Sequence, residues 1–321
     1  MSILPLLVLH WIAGDLHMHV APPDDPKDVA MSAKQIAKAA KDAGMEFVIL
    51  TPHMRVSRSR GWKKAWEALA IAARAITDVT LIPGAELGVP GLGHFGISGV
   101  DVGALGGDPL AEAKQQGAFI VVNHPFAVPT HIPGIPVSEY NMSYTPWTKG
   151  AKGWSDFDGV EVWNVPLALA NLISKPGGAT GEARAFIEAD RVARSEQRRV
   201  TITGGTDNHV HDVIATTWVL ADDASEASIL AALRHGATCV GAPDAGDLVA
   251  RGDGDTSWAR IGDSVHGTTI ELQWSGKAEL FVDGVSQGEV DSSFTAHVTN
   301  DVHTFRIEKA ASRCGFIYAN L

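Results

Sequence analysis

Phe47-Val48-Ile49-Leu50-Thr51-Pro52-His53 is a run of four apolar residues that passes straight into a turn and a histidine. Such a run, short and bounded by turn residues, reads as a strand buried on both faces. Just before it, Ser32 to Ala43 has helical spacing and stops at Gly44, a natural C-terminal cap. The unit recurs along the chain. Val79 to Leu87, Phe119 to Val122, Gly159 to Trp163 and Val200 to Thr203 read as further buried strands. Trp62 to Ile76, Gly181 to Arg198 and Ser225 to Arg234 read as helices between them. This alternation predicts an α/β fold built on a parallel sheet, open or closed into a barrel. In either form, chemistry belongs at the C-terminal ends of the strands.

Histidines and carboxylates gather at those ends. Gly14-Asp15-Leu16-His17-Met18-His19 carries two histidines at i and i+2, which strand alternation turns to one face, with Asp15 on the same side. Thr51-Pro52-His53 ends the next strand, and Gly84-Ala85-Glu86 closes the third, with His94 shortly after. Asn123-His124-Pro125 and Asp207-Asn208-His209 follow two more. Imidazole and carboxylate donors in one place suit zinc, iron or manganese, whereas copper would favour sulfur ligands. His10, His235, His266 and His303 sit at no such strand end and read as packed or surface residues.

In order and spacing, from about Gly14 to Asp212, these motifs resemble the polymerase and histidinol phosphatase (PHP) superfamily. The resemblance implies a distorted (β/α)7 barrel, a centre of two or three divalent metal ions, and hydrolysis of a small phosphate mono- or diester. Carried over by motif, His17, His19, Glu86 and Asp207 would hold one metal. Glu86 would bridge to a second held by His94 and His124. His53 and His209 would help to hold a third, with Asp24 or its neighbour Asp25 as the carboxylate. The chain departs from the family pattern twice. Thr51-Pro52-His53 stands where Thr-Asp-His is usual, and Val20 to Asp25 lacks Ser-Asp-Gly. Gly159 to Asn164 and the C-terminal segment are similar to the carbaryl-hydrolase branch, which implies a carboxylic-ester or carbamate substrate as the alternative. A metal-binding accessory domain without catalysis is the second alternative.

The expected chemistry is attack by a metal-activated water, with Glu86, Asp207 and His209 in the catalytic group. Paired cations about 3.5–4 Å apart bring the pKa of such a water toward ~7. Leaving-group protonation falls to His209, His211 or a bound water. The chain has no Gly-x-Ser-x-Gly elbow, and neither cysteine stands beside a histidine. Glu161 is a candidate for orienting a ligand histidine. The formal match of Gly91 to Gly96 to GxGxxG lacks the helix that a dinucleotide site needs.

Residues 1–243 read as the barrel. Residues 244–321, with turn-rich Pro243 to Asp255 followed by alternating runs and the hairpin signal Asp283-Gly284, read as a small antiparallel β unit. The loop 125–158 is rich in proline and aromatics and reads as a lid or pocket wall, with His131 in it. The net charge of −11, from 26 basic and 37 acidic residues, argues against a nucleic-acid partner. The expected partner is a small anionic ester, which the basic run Arg55, Arg58, Arg60, Lys63 and Lys64 could face. Ile3 to Leu9 is too short to span a membrane and carries no signal-peptide features, so a cytoplasmic protein is expected. Cys239 and Cys314 match no disulfide framework or thiolate zinc spacing and read as two buried thiols.

Overall fold

The computed structural model of the chain describes residues 9–55, 60–127, 144, 147, 157–164, 181–209 and 217–321. Most of loop 125–158, including His131, lies outside them, as do Arg58, His211 and the apolar run before Leu9. Strand β1 (His10–Met18) pairs in parallel with β2 (Phe47–Leu50). Short β3 (His53–Arg55) and β2 both lie parallel to β4 (Thr80–Val89). Then come β5 (Gly93–Ser98), β6 (Phe119–Val122), β7 (Gly159–Asn164) and β8 (Thr201–Gly205). The sheet closes on itself. At the seam, Asp207 N–H donates to the His17 carbonyl (2.7 Å), and Met18 and Asn208 form a parallel bridge.

The ring is not a uniform β/α repeat. β5 runs antiparallel to both β4 and β6. Only Pro90, Gly91 and Leu92 separate β4 from β5, and a parallel neighbour needs a crossover of a dozen residues or more. Gly91 at φ 73° makes the tight return. The formal GxGxxG match is therefore a hairpin, not a nucleotide loop.

Helices cover the ring because each carries an apolar stripe. α1 (Ala33–Asp42) buries Ile36, Ala37 and Ala40. Its start is fixed by a capping box in which the Ser32 hydroxyl accepts the Gln35 N–H and Gln35 Oε1 accepts the Ser32 N–H. Such a cap contributes about 1 kcal/mol. α2 (Arg60–Arg74) buries Trp66, Leu69, Ala70 and Ala73. α3 (Pro109–Gln115), α4 (Gly181–Ser195) and α5 (Glu226–His235) follow, α5 ending at Gly236 in the left-handed conformation. A core runs from Trp66 and Phe95 through Val160 and Phe186 to Tyr318.

β9 (Thr217–Ala221) lies antiparallel to the first half of β1 and, on its other side, to β10 (Thr238–Val240). The sheet then continues into the C-terminal strands: β11 (Val249–Gly252), β12 (Ser264–Val265), β13 (Thr269–Val282), β14 (Val285–His297), β15 (His303–Lys309), β16 (Ser312–Cys314) and β17 (Ile317–Ala319). Asp283 and Gly284, at φ 53° and 75°, turn β13 into β14 as the hairpin signal predicts. Tyr318 is fully buried; its hydroxyl accepts the Val200 N–H (3.1 Å) and donates to the Val200 carbonyl (3.3 Å).

One expectation is corrected. Cys239 and Cys314 are directly opposite in the β10–β16 ladder and are joined in a disulfide. Strand register, which spacing in sequence does not reveal, brings them together. Denatured protein that has seen no reductant is expected to yield no free thiol to a colorimetric reagent, and two after reduction. Two thiols without reductant would show the pair to be unjoined.

Candidate metal centre

Backbone register sets the centre. His53 is the partner of Glu86 across β3 and β4, and His94 is the partner of Gly88 across β4 and β5. The antiparallel turn of β5 is thus what swings His94 back over Glu86. Five imidazoles converge on that carboxylate. His17 Nε2, His94 Nδ1 and His124 Nε2 lie 3.3, 3.2 and 3.1 Å from Oε1, while His19 Nε2 and His53 Nε2 each lie 3.7 Å from Oε2. Asp207 Oδ1 completes the group, 3.1 Å from His19 Nε2 and 3.5 Å from His17 Nε2. His17, His19, Glu86, His124 and Asp207 are buried, and His53 is exposed over 45% of its side chain.

Three sets of side chains have ligand atoms within 4.8 Å of one another: His17, His19 and Asp207; His17, Glu86 and His124; and His19, His53 and His209. His53 and His209 stack on either side of His19, with centroids 4.0 and 4.1 Å from it. His209 Nδ1–H donates to the Asp207 carbonyl (3.0 Å), which leaves Nε2 with its lone pair. Asp24 faces inward and Asp25 is exposed. Both Asp24 oxygens are engaged, one with His19 Nδ1 (3.2 Å), the other with His53 Nδ1 (3.1 Å) and the His53 N–H (2.9 Å). It fixes two imidazoles and joins none of the three sets.

Asp15 does not point at the centre as alternation suggested. Its carboxylate accepts the His17 and Thr206 N–H groups (3.0 Å each) and the Thr206 hydroxyl, tying β1 to the end of β8. Burial pushes its pKa up to about 6 despite those donors. Glu161 does orient a histidine: Oε1 meets His17 Nδ1 (3.0 Å), while Oε2 accepts the His124 N–H (2.7 Å) and Asn164 Nδ2–H (3.1 Å). Asn164 also donates to Asp207 (3.2 Å), and Asn123 donates to Glu86 (3.0 Å). Asn164 and Thr206 escaped the sequence reading, although a polar residue closing an otherwise apolar strand was a usable signal. His235, His266 and His303 pair with Asp263, Asp255 and Asp283, away from the centre.

Local backbone is bent to serve this geometry. His124 and Asp207 have φ of 30° and 48°, outside the usual range for residues with a Cβ. Each costs on the order of 1–2 kcal/mol. Gly205 has the opposite task. A Cβ there would lie 2.2 Å from His17 Cβ and 2.8 Å from Glu161 Oε1.

The electrostatics ask for positive charge. Burial disfavours ionisation of Glu86 and Asp207, but the surrounding imidazoles, His17 foremost, hold both carboxyls well below the usual range. In return, His17 and His124 are raised against the opposing effect of burial, and His19 is pushed up to about 9 by Asp207, Asp24 and Glu86. His94 Nδ1 is buried and, although Glu86 Oε1 lies 3.2 Å away, forms no hydrogen bond of good geometry. A buried ring nitrogen facing a carboxylate without a well-formed hydrogen bond is unusual and here points into the donor group. Divalent cations fit: they bring the positive charge that protons otherwise supply, and they take lone pairs of this nitrogen-and-oxygen kind.

No protein-family profile and no curated protein matches the chain. Among solved structures it is similar to a two-domain protein from Bacteroides vulgatus ATCC 8482, described as containing a predicted PHP-like metal-dependent phosphoesterase. Identity is 16% and the TM-score 0.48, over 94% of this chain and 88% of that one. It is also similar to an amidohydrolase from Chromobacterium violaceum, at 14% identity and TM-score 0.33, over 63% of this chain and 89% of that one.

Two outcomes follow from the geometry. In Glu161→Gln, the amide must set an NH2 against the Nδ1–H of His17 or against the His124 and Asn164 donors. Metal affinity, read by competition with a chelating dye, is expected to fall about 10–100-fold; unchanged affinity would remove Glu161 from its orienting role. In chelated protein, His19 is raised from 6.5 to about 9, so its stabilising contribution is full below pH 6.5 and disappears as pH rises through 9. The urea midpoint should therefore drop between pH 6.5 and 9. A midpoint that climbs over this range would contradict the charge pattern.

Proposed function

We propose that this chain is a metal-dependent hydrolase that cleaves a small phosphate mono- or diester with a metal-activated water. The supporting observation is the convergence of five imidazoles on one buried carboxylate, Glu86, with Asp207 alongside. His17, His19, Glu86 and Asp207 would hold one cation, and Glu86, His94 and His124 a second. His53 and His209 would take a third beside His19, with Asp24 fixing the two rings it touches. Zinc, iron or manganese suits these donors. Such cations supply Lewis acidity and bring the ionisation of water toward neutral pH.

The remaining tasks belong to the side chains. Glu161 and Asp24 set imidazole tautomers by taking the Nδ1–H of His17 and of His19 and His53. Asn123 and Asn164 hold Glu86 and Asp207 in place through amide N–H groups. His209 is kept neutral near pH 7, since burial and then His19 lower its pKa. Its free Nε2 can receive a proton or hold a cation, but it is a weak proton donor. The two cysteines are bonded to each other and offer no thiolate nucleophile.

The test is p-nitrophenol release from a phosphate monoester, a phosphate diester and a carboxylic ester, after manganese or zinc loading and with a chelator control. Chelator-sensitive cleavage of a phosphate ester is expected. Cleavage confined to the carboxylic ester would transfer the same centre to carboxylic-ester or carbamate hydrolysis, and no cleavage of any would leave a narrow natural specificity or a metal-binding accessory domain. His17→Ala and Asp207→Ala should each lose bound metal, measured by elemental analysis, and more than about 100-fold in rate. Either variant retaining full metal and full rate would overturn the ligand set.

A further inference from the structure

Behind the metal centre, the interior of the barrel is not completely filled by side chains. A cavity of about 10 Å³ opens among Leu16, His17, Thr51, Gly96, Asn123 and Glu161, so a ligand histidine and its orienting carboxylate form part of the wall. That volume is at the lower bound of what a single water needs, and a water also needs at least two polar partners.

Two such partners belong to the wall. Thr51 is buried, and its hydroxyl makes no hydrogen bond with any described residue. Asn123 is buried as well. Its Nδ2–H donates to Glu86 Oε1 (3.0 Å), because an ionised carboxylate takes only donors, and Oδ1 is thereby left facing Gly96. That oxygen receives no hydrogen bond from any described residue. A Cβ on Gly96 would lie 3.1 Å from Asn123 Oδ1, so the absent side chain is what leaves room beside it. The φ of Gly96 is not in the left-handed region, so glycine serves here for space and not for backbone conformation.

We propose that this cavity is a water-binding site, and that a water held between Thr51 and Asn123 keeps the Asn123 amide turned toward Glu86. The water accepts the Thr51 hydroxyl proton in a hydrogen bond and donates to Asn123 Oδ1. One molecule thus satisfies two buried polar groups that would otherwise forfeit the hydrogen bonds they make in bulk water. Thr51 and Gly96 are positioning residues in this arrangement: one binds the water and the other makes space for it. The inference concerns how Glu86 is held, and it stands whether or not the chain is a hydrolase.

Two measurements test it with the full chain. The first is a crystal structure at a resolution that shows ordered water. A water is expected within about 3.2 Å of both Thr51 Oγ1 and Asn123 Oδ1. No density there, or a protein donor on Asn123 Oδ1 in its place, would overturn the site. The second is zinc affinity, read by competition with a chelating dye, for wild type, Thr51→Val, Gly96→Ala and Thr51→Ser. Valine keeps the volume and removes the hydroxyl, and alanine puts a methyl group where the water would lie. Each should weaken zinc about tenfold, the effect of leaving one buried amide oxygen unsatisfied. Thr51→Ser keeps the hydroxyl and should bind as wild type does. Unchanged affinity in Thr51→Val and Gly96→Ala, or an equal loss in Thr51→Ser, would overturn the positioning role. If wild type bound no zinc, the metal centre itself would be in question, and the crystallographic water would still decide the site.

Discussion

The Glu86 carboxylate lies at the end of β4 with five imidazole nitrogens within 3.7 Å, and much of the rest of the molecule serves to keep it there. A buried carboxylate is costly unless opposing charge and hydrogen bonds surround it. Here no single strand could supply them. His17 comes from β1 and His19 from the residue that follows it, His53 from β3, His94 from β5 and His124 from just past β6. The closed sheet is what brings those distant segments to one rim. The charge is balanced within the group: carboxylates draw protons or cations to the imidazoles, and the imidazoles keep the carboxylates ionised.

Side chains behind the ligands hold them in place. Glu161 reaches His17 and the backbone of His124 at once, so one side chain fixes ligands that are far apart in sequence. Asp15, with a pKa pushed up to about 6 by burial, ties the β1 end to Thr206 and thereby sets where Asp207 begins. The left-handed backbone at His124 and Asp207 turns both side chains inward. Together these contacts hold donor atoms in place before any cation arrives, which favours binding over reorganisation.

Much of this was legible in the sequence. Apolar runs such as Phe47 to Leu50 and Phe119 to Val122 mark strands because burial on both faces leaves no polar alternation. Gly44 and Asp283-Gly284 mark boundaries because each meets a specific backbone demand. The clustering of histidines at strand ends pointed to the rim. What escaped was whatever depends on partners distant in the chain. The reversal of β5 was written in the shortness of Pro90 to Leu92, but a repeat of parallel strands was the stronger expectation. Asp15 shares a strand face with two histidines in the ideal pleat, yet the nearest donors belong to Thr206, far away in sequence. The disulfide follows from the register of β10 on β16, which neither cysteine's neighbours disclose.

Tyr318 links the end of the chain to the barrel. Its ring belongs to the same core as Trp66, Phe95 and Val160, and its hydroxyl satisfies both backbone groups of Val200, the residue that leads into β8. β8 in turn runs into Asp207. The last strands are therefore a keystone, not a passenger: a chain ending before Tyr318 would expose Val200's polar groups in an apolar layer and loosen the support beneath the Asp207 turn. For anyone who trims, fuses or transplants this protein, the C-terminus is the wrong place to cut.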